Sequence, residues 1–305
     1  MRRIATVLSG LVLLLALAAC VQVIRNSGQT TLPPPPEKAL RIATLNVHYI
    51  ILSDATGPWS VGDWETRKGA LDAAFKSIDA DVFAFQEMES FQRGSDGSVN
   101  LARDWLVERN PGFAVGATGP WREFPPTQPI FFRRDRFDLL DQGWFFFSDT
   151  PDVIYSRTFN GSWPAFASWV HLRDRQSGEA FRVLNLHFEY RSGSTRLLSA
   201  ELVAERITPW ITAGERVILV GDTNARHGAP TMEILADPGI TFLPVTGATY
   251  HFDRGLNLFG AIDHIGHSAG LRPVGPPVVL REKFEGEWPT DHYPVVADLV
   301  IQDVN

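Results

Sequence analysis

Acids, amides and histidines recur along this chain where short apolar runs stop. Asn46 stands in TLNV, Glu87 closes FQE, His187 ends NLH, and Asp222 and Asn224 frame GDTN. Asp263 lies in IDH, and Asp291 and His292 are adjacent in TDH, at the start of the last apolar run. Each has an ordinary explanation taken singly: a turn for Asn46, a helix cap for Glu87, a core histidine for His187, a solvated loop for Asp291–His292. Their recurrence at strand boundaries asks for a common one. Ligand sites in α/β folds gather where strand ends meet loops, because the backbone there is rigid on one side and free on the other.

Carboxylates and amides with two histidines, and no cysteine among them, suit a hard cation. Magnesium prefers oxygen ligands and is held by one or two carboxylates plus substrate phosphate. Glu87 is the first choice of ligand, with Asn46 beside it; magnesium is the expected ion, with manganese or calcium able to replace it. Hydrolysis of a phosphate ester then needs a water aligned for in-line attack and relief of charge on the equatorial oxygens. Asp222 can accept the proton of that water. Asn224, two residues further in a segment read as extended, points to the same side and can orient it. His187 and His292 can donate to phosphoryl oxygens, and Asp263 can fix a histidine's tautomer.

The elements that must position these residues are legible as short β-branched or aromatic runs: 40–47, 81–87, 129–134, 165–172, 180–188, 216–222, 261–265 and 293–300. Helical spacing marks 64–78, with Leu71, Phe75 and Ile78 on one face, and also 100–108 and 195–211. Strands and helices mix along one chain, which reads as a single α/β domain over residues 40–305.

The start of the chain reads differently. Residues 1–20, with Arg2 and Arg3 before an apolar stretch over Leu11–Ala19, have the pattern of an export signal. Small residues precede Cys20, the only cysteine, which resembles a bacterial lipoprotein signal and implies lipidation there. Residues 21–39, with the run Pro33–Pro36, read as a stiff spacer. The expected location is the cell envelope, anchored through Cys20 on the periplasmic or outer-membrane side, with plain export as the alternative. Cleavage would move the formal net charge from −7 to −9, with 26 basic against 35 acidic residues. A local basic patch could still bind nucleic acid, but that balance points to no broad phosphate-binding surface.

The motifs TLNV, FQE, NLH, GDTN, IDH and TDH, in that order over residues 40–301, resemble the endonuclease/exonuclease/phosphatase superfamily. The resemblance implies a deoxyribonuclease-I-like fold, a two-sheet, four-layer α/β sandwich. It implies that Asn46 and Glu87 lie at the metal with Asp291 near it, and that Asp222 and Asn224 position the nucleophile. It also implies that Asp263 pairs with His292 and that His187 contacts the phosphate. Two positions depart from the family pattern. Thr223 stands where an aromatic or methionine is common and should point away from the site, and NLHFEY replaces THLDH, putting Glu189 in place of an aspartate. Arg157, Asn160 and Trp163 in one loop are candidates for substrate contact.

Two other readings compete: a two-metal phosphoesterase with a histidine-rich ligand set, and a non-catalytic surface lipoprotein that keeps the fold as a scaffold. The first would want an Asn-His pair besides His264 and His267, and the chain has none. The expected partner is a phosphate ester, whether nucleic acid, phospholipid or small molecule, and the expected state is a monomer.

Overall fold

The computed structural model describes residues 2–28, 31–92 and 99–302, with the backbone alone over 2–11. After α1 (Arg2–Arg25) come β1 (Leu40–Asn46), β2 (Ile50–Ile51), α2 (Val61–Ile78), β3 (Val82–Gln86) and β4 (Ser90–Phe91). There follow α3 (Leu101–Arg109), β5 (Phe113–Gly116), β6 (Ile130–Arg133), β7 (Phe137–Phe146), β8 (Phe166–Asp174), β9 (Ala180–His187) and α4 (Gly193–Thr212). The chain ends with β10 (Arg216–Asp222), α5 (Pro230–Ala236), β11 (Thr241–Phe242), β12 (Asp263–His267), β13 (Leu271–Pro273), β14 (Val278–Val279) and β15 (Val295–Ile301).

Two mixed sheets result. One runs β13-β15-β1-β3-β6-β5, with β14 also on β15; the other runs β11-β12-β10-β9-β8-β7. Each has the same centre: β1 lies parallel to β3 and antiparallel to β15, and β10 lies parallel to β9 and antiparallel to β12. A parallel pair needs a long crossover, which α2 and α4 supply. Ser60 and Ser192 start these helices by accepting from the backbone N–H of Asp63 and Thr195.

Side-chain alternation sorts the layers. Ile42, Val82, Ile130 and Phe132 of the first sheet face Val183, Ile218, Val220 and Ile265 of the second, in one core between the sheets. Ala43, Leu45, Phe83 and Phe85 point the other way, onto Leu71, Phe75 and Ile78 of α2. Leu184, Leu186, Val217 and Leu219 meet Ala200, Val203 and Ile207 of α4 and Met232 of α5. The expected deoxyribonuclease-I-like sandwich, helices outside and two sheets within, is what the chain adopts.

Polar side chains replace apolar ones toward one end of the inner core. Gln86 Nε2 donates to Thr44 Oγ1 at 2.9 Å and to Asn185 Oδ1 at 2.6 Å, tying the first sheet to the second. Asn185 Nδ2 donates in turn to the Phe85 carbonyl at 2.7 Å. These fully buried bonds fix the sheets' relative position just below the strand ends.

Toward the N-terminus, α1 runs through Cys20 to Arg25, and Cys20 is exposed. Among the described residues, no helix is long and apolar enough to cross a membrane. Within the segment read as a spacer, Asn26 Nδ2 donates to the Asn257 carbonyl at 3.2 Å, and Asn257 Nδ2 donates to Ser27 Oγ at 2.9 Å.

Candidate active site

Strand register alone assembles most of the set. Asp222 pairs with His187 on β9 and with Asp263 on β12, so the three stand in a row at one end of the second sheet. Asn46 ends β1 opposite Gln86 of β3 in the first sheet. His187, Asp222, Asp263 and Asn46 all fall on the same parity as the inner-core residues Val183, Val220, Ile265 and Ile42. They therefore point into the gap between the sheets where it opens to solvent.

Glu87 is the exception, since strict alternation would send it to the outer face. The strand ends at Gln86, and Glu87 takes a left-handed backbone with φ +52°. This turn redirects its carboxylate to the same mouth. Gly221 is required for a related reason. At φ +132° a Cβ there would lie 2.0 Å from the Leu186 carbonyl oxygen, so only glycine lets β10 approach β9 beside Asp222.

One amide joins the two sheets at this mouth. The His48 N–H donates to Asn46 Oδ1 at 3.0 Å, which turns the amide nitrogen toward the acids. Asn46 Nδ2 then donates to Glu87 Oε1 at 3.0 Å and to Asp222 Oδ2 at 3.2 Å. His187 Nε2 lies 3.4 Å from Glu87 Oε1 and 4.0 Å from Asp222 Oδ2. His292 Nε2 faces Asp222 Oδ2 from the other side at 3.8 Å, and its Nδ1 is 3.0 Å from Asp263 Oδ2. Asp291 is buried next to it, with Thr290 Oγ1 donating to Oδ1 at 3.2 Å.

Charge and burial act in opposite directions here. Burial, then the charge of Asp263, pushes the Asp222 carboxyl up to about 6 against the downward pull of His292 and His187. Burial would lower His292, yet the charge and hydrogen bond of Asp263, with Asp222 and Asp291 behind it, raise it well above the usual histidine range. Burial also works to raise Glu87, but His187, His48 and the Asn46 amide outweigh it and hold the group below the ordinary carboxylate value. Asp222 is thus a good proton acceptor beside a histidine that stays cationic, and Glu87 stays ionised.

Two places could take a cation. Donor atoms of Asp222, Asp263 and His292 lie within 4.8 Å of one another. There, Asp263 already has the cationic His292 beside it at Oδ2, although its Oδ1 is buried with no hydrogen-bond partner, as is Glu87 Oε2. A lone carboxylate oxygen in that state needs a positive partner. The Glu87 side, with Asp291, has no such cationic partner hydrogen-bonded to it and takes the cation in this reading. Asn46 turns its Nδ2 to this place, its Oδ1 being used by the His48 N–H, so as placed it positions Glu87.

Asn224 corrects the sequence reading of its backbone. The segment is not extended there: β10 ends at Asp222, and Asn224 takes φ +47°. Its N–H donates to Asp222 Oδ1 at 2.9 Å, and its Nδ2 donates to the Phe188 carbonyl at 2.9 Å, leaving Oδ1 as the free atom of the amide. Thr223 turns away as expected, with Oγ1 bonded to the Ala225 and Ile262 carbonyls. Glu189 accepts from the Ser192 N–H ahead of α4. Arg157 and Asn160 are used inside their own loop, on the Gly161 carbonyl and the Ser162 N–H, while Trp163 is exposed. His264 Nε2 and His267 Nδ1 bond the Ala225 and Ser268 carbonyls, and neither residue joins the cluster of Asp222, Asp263 and His292.

Arg67 escaped the reading from sequence. Its side chain is 5% exposed. It donates to the Val47 and Pro289 carbonyls at 2.9 and 3.0 Å, to the His48 carbonyl at 3.3 Å, and to Asp63 at 3.1 Å. It thereby ties the loop after Asn46 to the loop that carries Asp291. The available signal was its place on the apolar stripe of α2, one turn before Leu71. His48, Trp59 and Tyr250, which line a cleft beside Asp291, were also missed.

A family model described as the endonuclease/exonuclease/phosphatase family matches residues 43–292. No curated protein matches the chain. Among solved structures the chain is similar to an endonuclease/exonuclease/phosphatase family protein from Bacteroides thetaiotaomicron. Identity is 25%, the TM-score is 0.71, and 91% of this chain and 100% of that one are covered. It is similar to a mannosyl-6-phosphatase of the same organism at 25% identity and TM-score 0.70, over 86% of this chain and 100% of that one. The human Nocturnin catalytic domain shares the fold, at 16% identity and TM-score 0.60 over 88% and 97% of the two chains.

Proposed function

Because the chain belongs to the endonuclease/exonuclease/phosphatase family, and is by that membership a phosphoesterase, we propose that it hydrolyses its ester by in-line attack of water with the help of a divalent cation. The observation that carries this reading is the Asn46 amide, which holds Glu87 of one sheet and Asp222 of the other at the same mouth.

Glu87, with Asp291 from the facing loop, is the set that would hold magnesium, and the Asn46 amide holds Glu87 in place. Bound there, the ion would polarise the phosphoryl group and offset the charge on its oxygens. Asp222 accepts the proton of the attacking water, and Asn224 Oδ1 orients that water. His187 and His292 donate through Nε2 to phosphoryl oxygens. Asp263 holds His292 in the orientation that presents Nε2 to the substrate. Together these groups position reactants and stabilise charge, which is most of what phosphoryl transfer asks of a protein. A non-catalytic scaffold would have no need of the complete set.

The sequence of residues 1–20 supports export and lipid anchoring at Cys20, which we propose as the location of the domain. The activity is tested by assaying the purified chain, with magnesium and then with excess chelator, against bis-p-nitrophenyl phosphate, nucleic acid, phospholipid and small phosphate monoesters. Turnover that chelator abolishes and added magnesium restores is the expected result. Turnover indifferent to chelator would remove the cation from the mechanism, and none on any substrate would favour the scaffold.

A further inference from the structure

We propose that the cleft beside Asp291 is a subsite for one neutral, polyhydroxylated ring, so that the substrate is a small sugar phosphate; the inference rests on the phosphoesterase reading above. The cleft has a volume of about 390 Å³ and is walled by His48, Trp59, Tyr250, Phe252, Arg254 and Asp291, with Leu256 and Leu258 completing it. That size suits part of a small molecule. It opens directly from the catalytic mouth: the Tyr250 ring lies 5.0 Å from that of His292, and Asp291 borders both spaces. A group bonded to a phosphate at His292 would enter it.

The arrangement of the walls selects the kind of group. A nucleobase needs an open aromatic slot or platform on which to stack. Here the rings are already closed on one another. His48 stacks on Trp59 at 3.5 Å and 11°, and Tyr250 leans on Phe252 at 4.5 Å and 57°. What remains is a set of ring edges and leucine side chains together with an acceptor at Asp291, donors at Arg254, and a phenol that does both. Hydroxyl groups, which donate and accept, match that mixture.

Backbone conformation shows that the cleft is built rather than incidental. His48, Trp59 and Phe252, three bulky residues on its wall, have φ of +50°, +62° and +59°. Such residues avoid this region unless their surroundings hold them there, and they concentrate at functional sites.

The test uses the full chain with magnesium, and compares a hexose 6-phosphate with a mononucleotide, a DNA oligonucleotide and phosphatidylcholine vesicles; bis-p-nitrophenyl phosphate reports the basic activity. The hexose phosphate should have a kcat/KM at least tenfold above the other three. Trp59→Ala and the exposed Arg254→Ala should each raise its KM about tenfold, while inhibition by inorganic phosphate stays within twofold. Arg254 has an exposed side chain, so its variant remains informative if Trp59→Ala misfolds. Preference for the nucleotide, DNA or vesicles, or an unchanged KM in a folded Arg254→Ala, overturns the subsite while leaving the phosphoesterase reading intact. No hydrolysis of any compound, bis-p-nitrophenyl phosphate included, overturns both.

Discussion

Asp263 Oδ2 lies 3.0 Å from His292 Nδ1, and the two residues come from opposite sheets. Asp263 begins β12 of one, and His292 immediately precedes the strand-bearing end of the other, three residues before β15. The pair is a hydrogen-bonded unit that closes the mouth of the sandwich from both sides. Residues that act as one unit lose activity together. Asp263→Asn and His292→Ala should therefore each lower kcat by about 10²–10⁴, and the double variant should lose little more than either. Fully multiplicative losses would mean that the two act separately.

Arg67 makes the second case, one of stability. Arg67→Met keeps much of the side-chain bulk but leaves the Val47 and Pro289 carbonyls without their buried donor. The cost should be about 3 kcal/mol or more, read from urea unfolding at neutral pH. A loss under about 1 kcal/mol would mean that water replaces the guanidinium easily.

His251 should shape the response of stability to acid. Burial, then the nearby charge of His292, pushes its pKa from 6.5 down to about 3. Its Nδ1 accepts from the Gly255 N–H at 3.3 Å, and its ring stacks on Tyr293. The unfolded chain takes up a proton near pH 6.5 that the folded chain refuses. The stabilisation is thus complete above that pH and is lost as pH falls from about 6.5 toward 3, with a slope of up to about 1.4 kcal/mol per unit. Unfolding free energies of wild type and His251→Gln, measured from pH 7 to pH 4, should converge toward low pH. Parallel curves would mean that His251 is protonated in the folded state.

Location has its own test. Cys20→Ala should leave an unprocessed precursor in the membrane fraction, or release the chain if another protease cuts it. Wild-type protein that is soluble after lysis and carries no lipid by mass would contradict the anchor.

The strands that carry the site were legible because each is a short apolar run with an acid, an amide or a histidine at one end, and register then aligned His187, Asp222 and Asp263. Local backbone turns were not legible. Alternation alone mispoints Glu87, and Asn224 leaves the extended path that spacing suggested, each through a positive φ that no residue pattern announces. β7 was missed for a related reason. It is an edge strand with an irregularity between Leu139 and Asp141, so its apolar alternation is broken mid-run. The cleft wall joins His48 and Trp59 to Tyr250 from the far end of the chain, a meeting that only the packed sheets create.

Glu87 offers the most direct test of the account, because its Oε2 is buried without a partner while its Oε1 takes the Asn46 amide. Glu87→Gln keeps the shape and removes the charge that would hold the cation. Rates of bis-p-nitrophenyl phosphate hydrolysis across a magnesium titration, for wild type and for this variant, read the effect directly. The account predicts a folded variant whose activity falls by about 10² or more and rises only at much higher magnesium. Wild-type turnover at ordinary magnesium concentrations would contradict it.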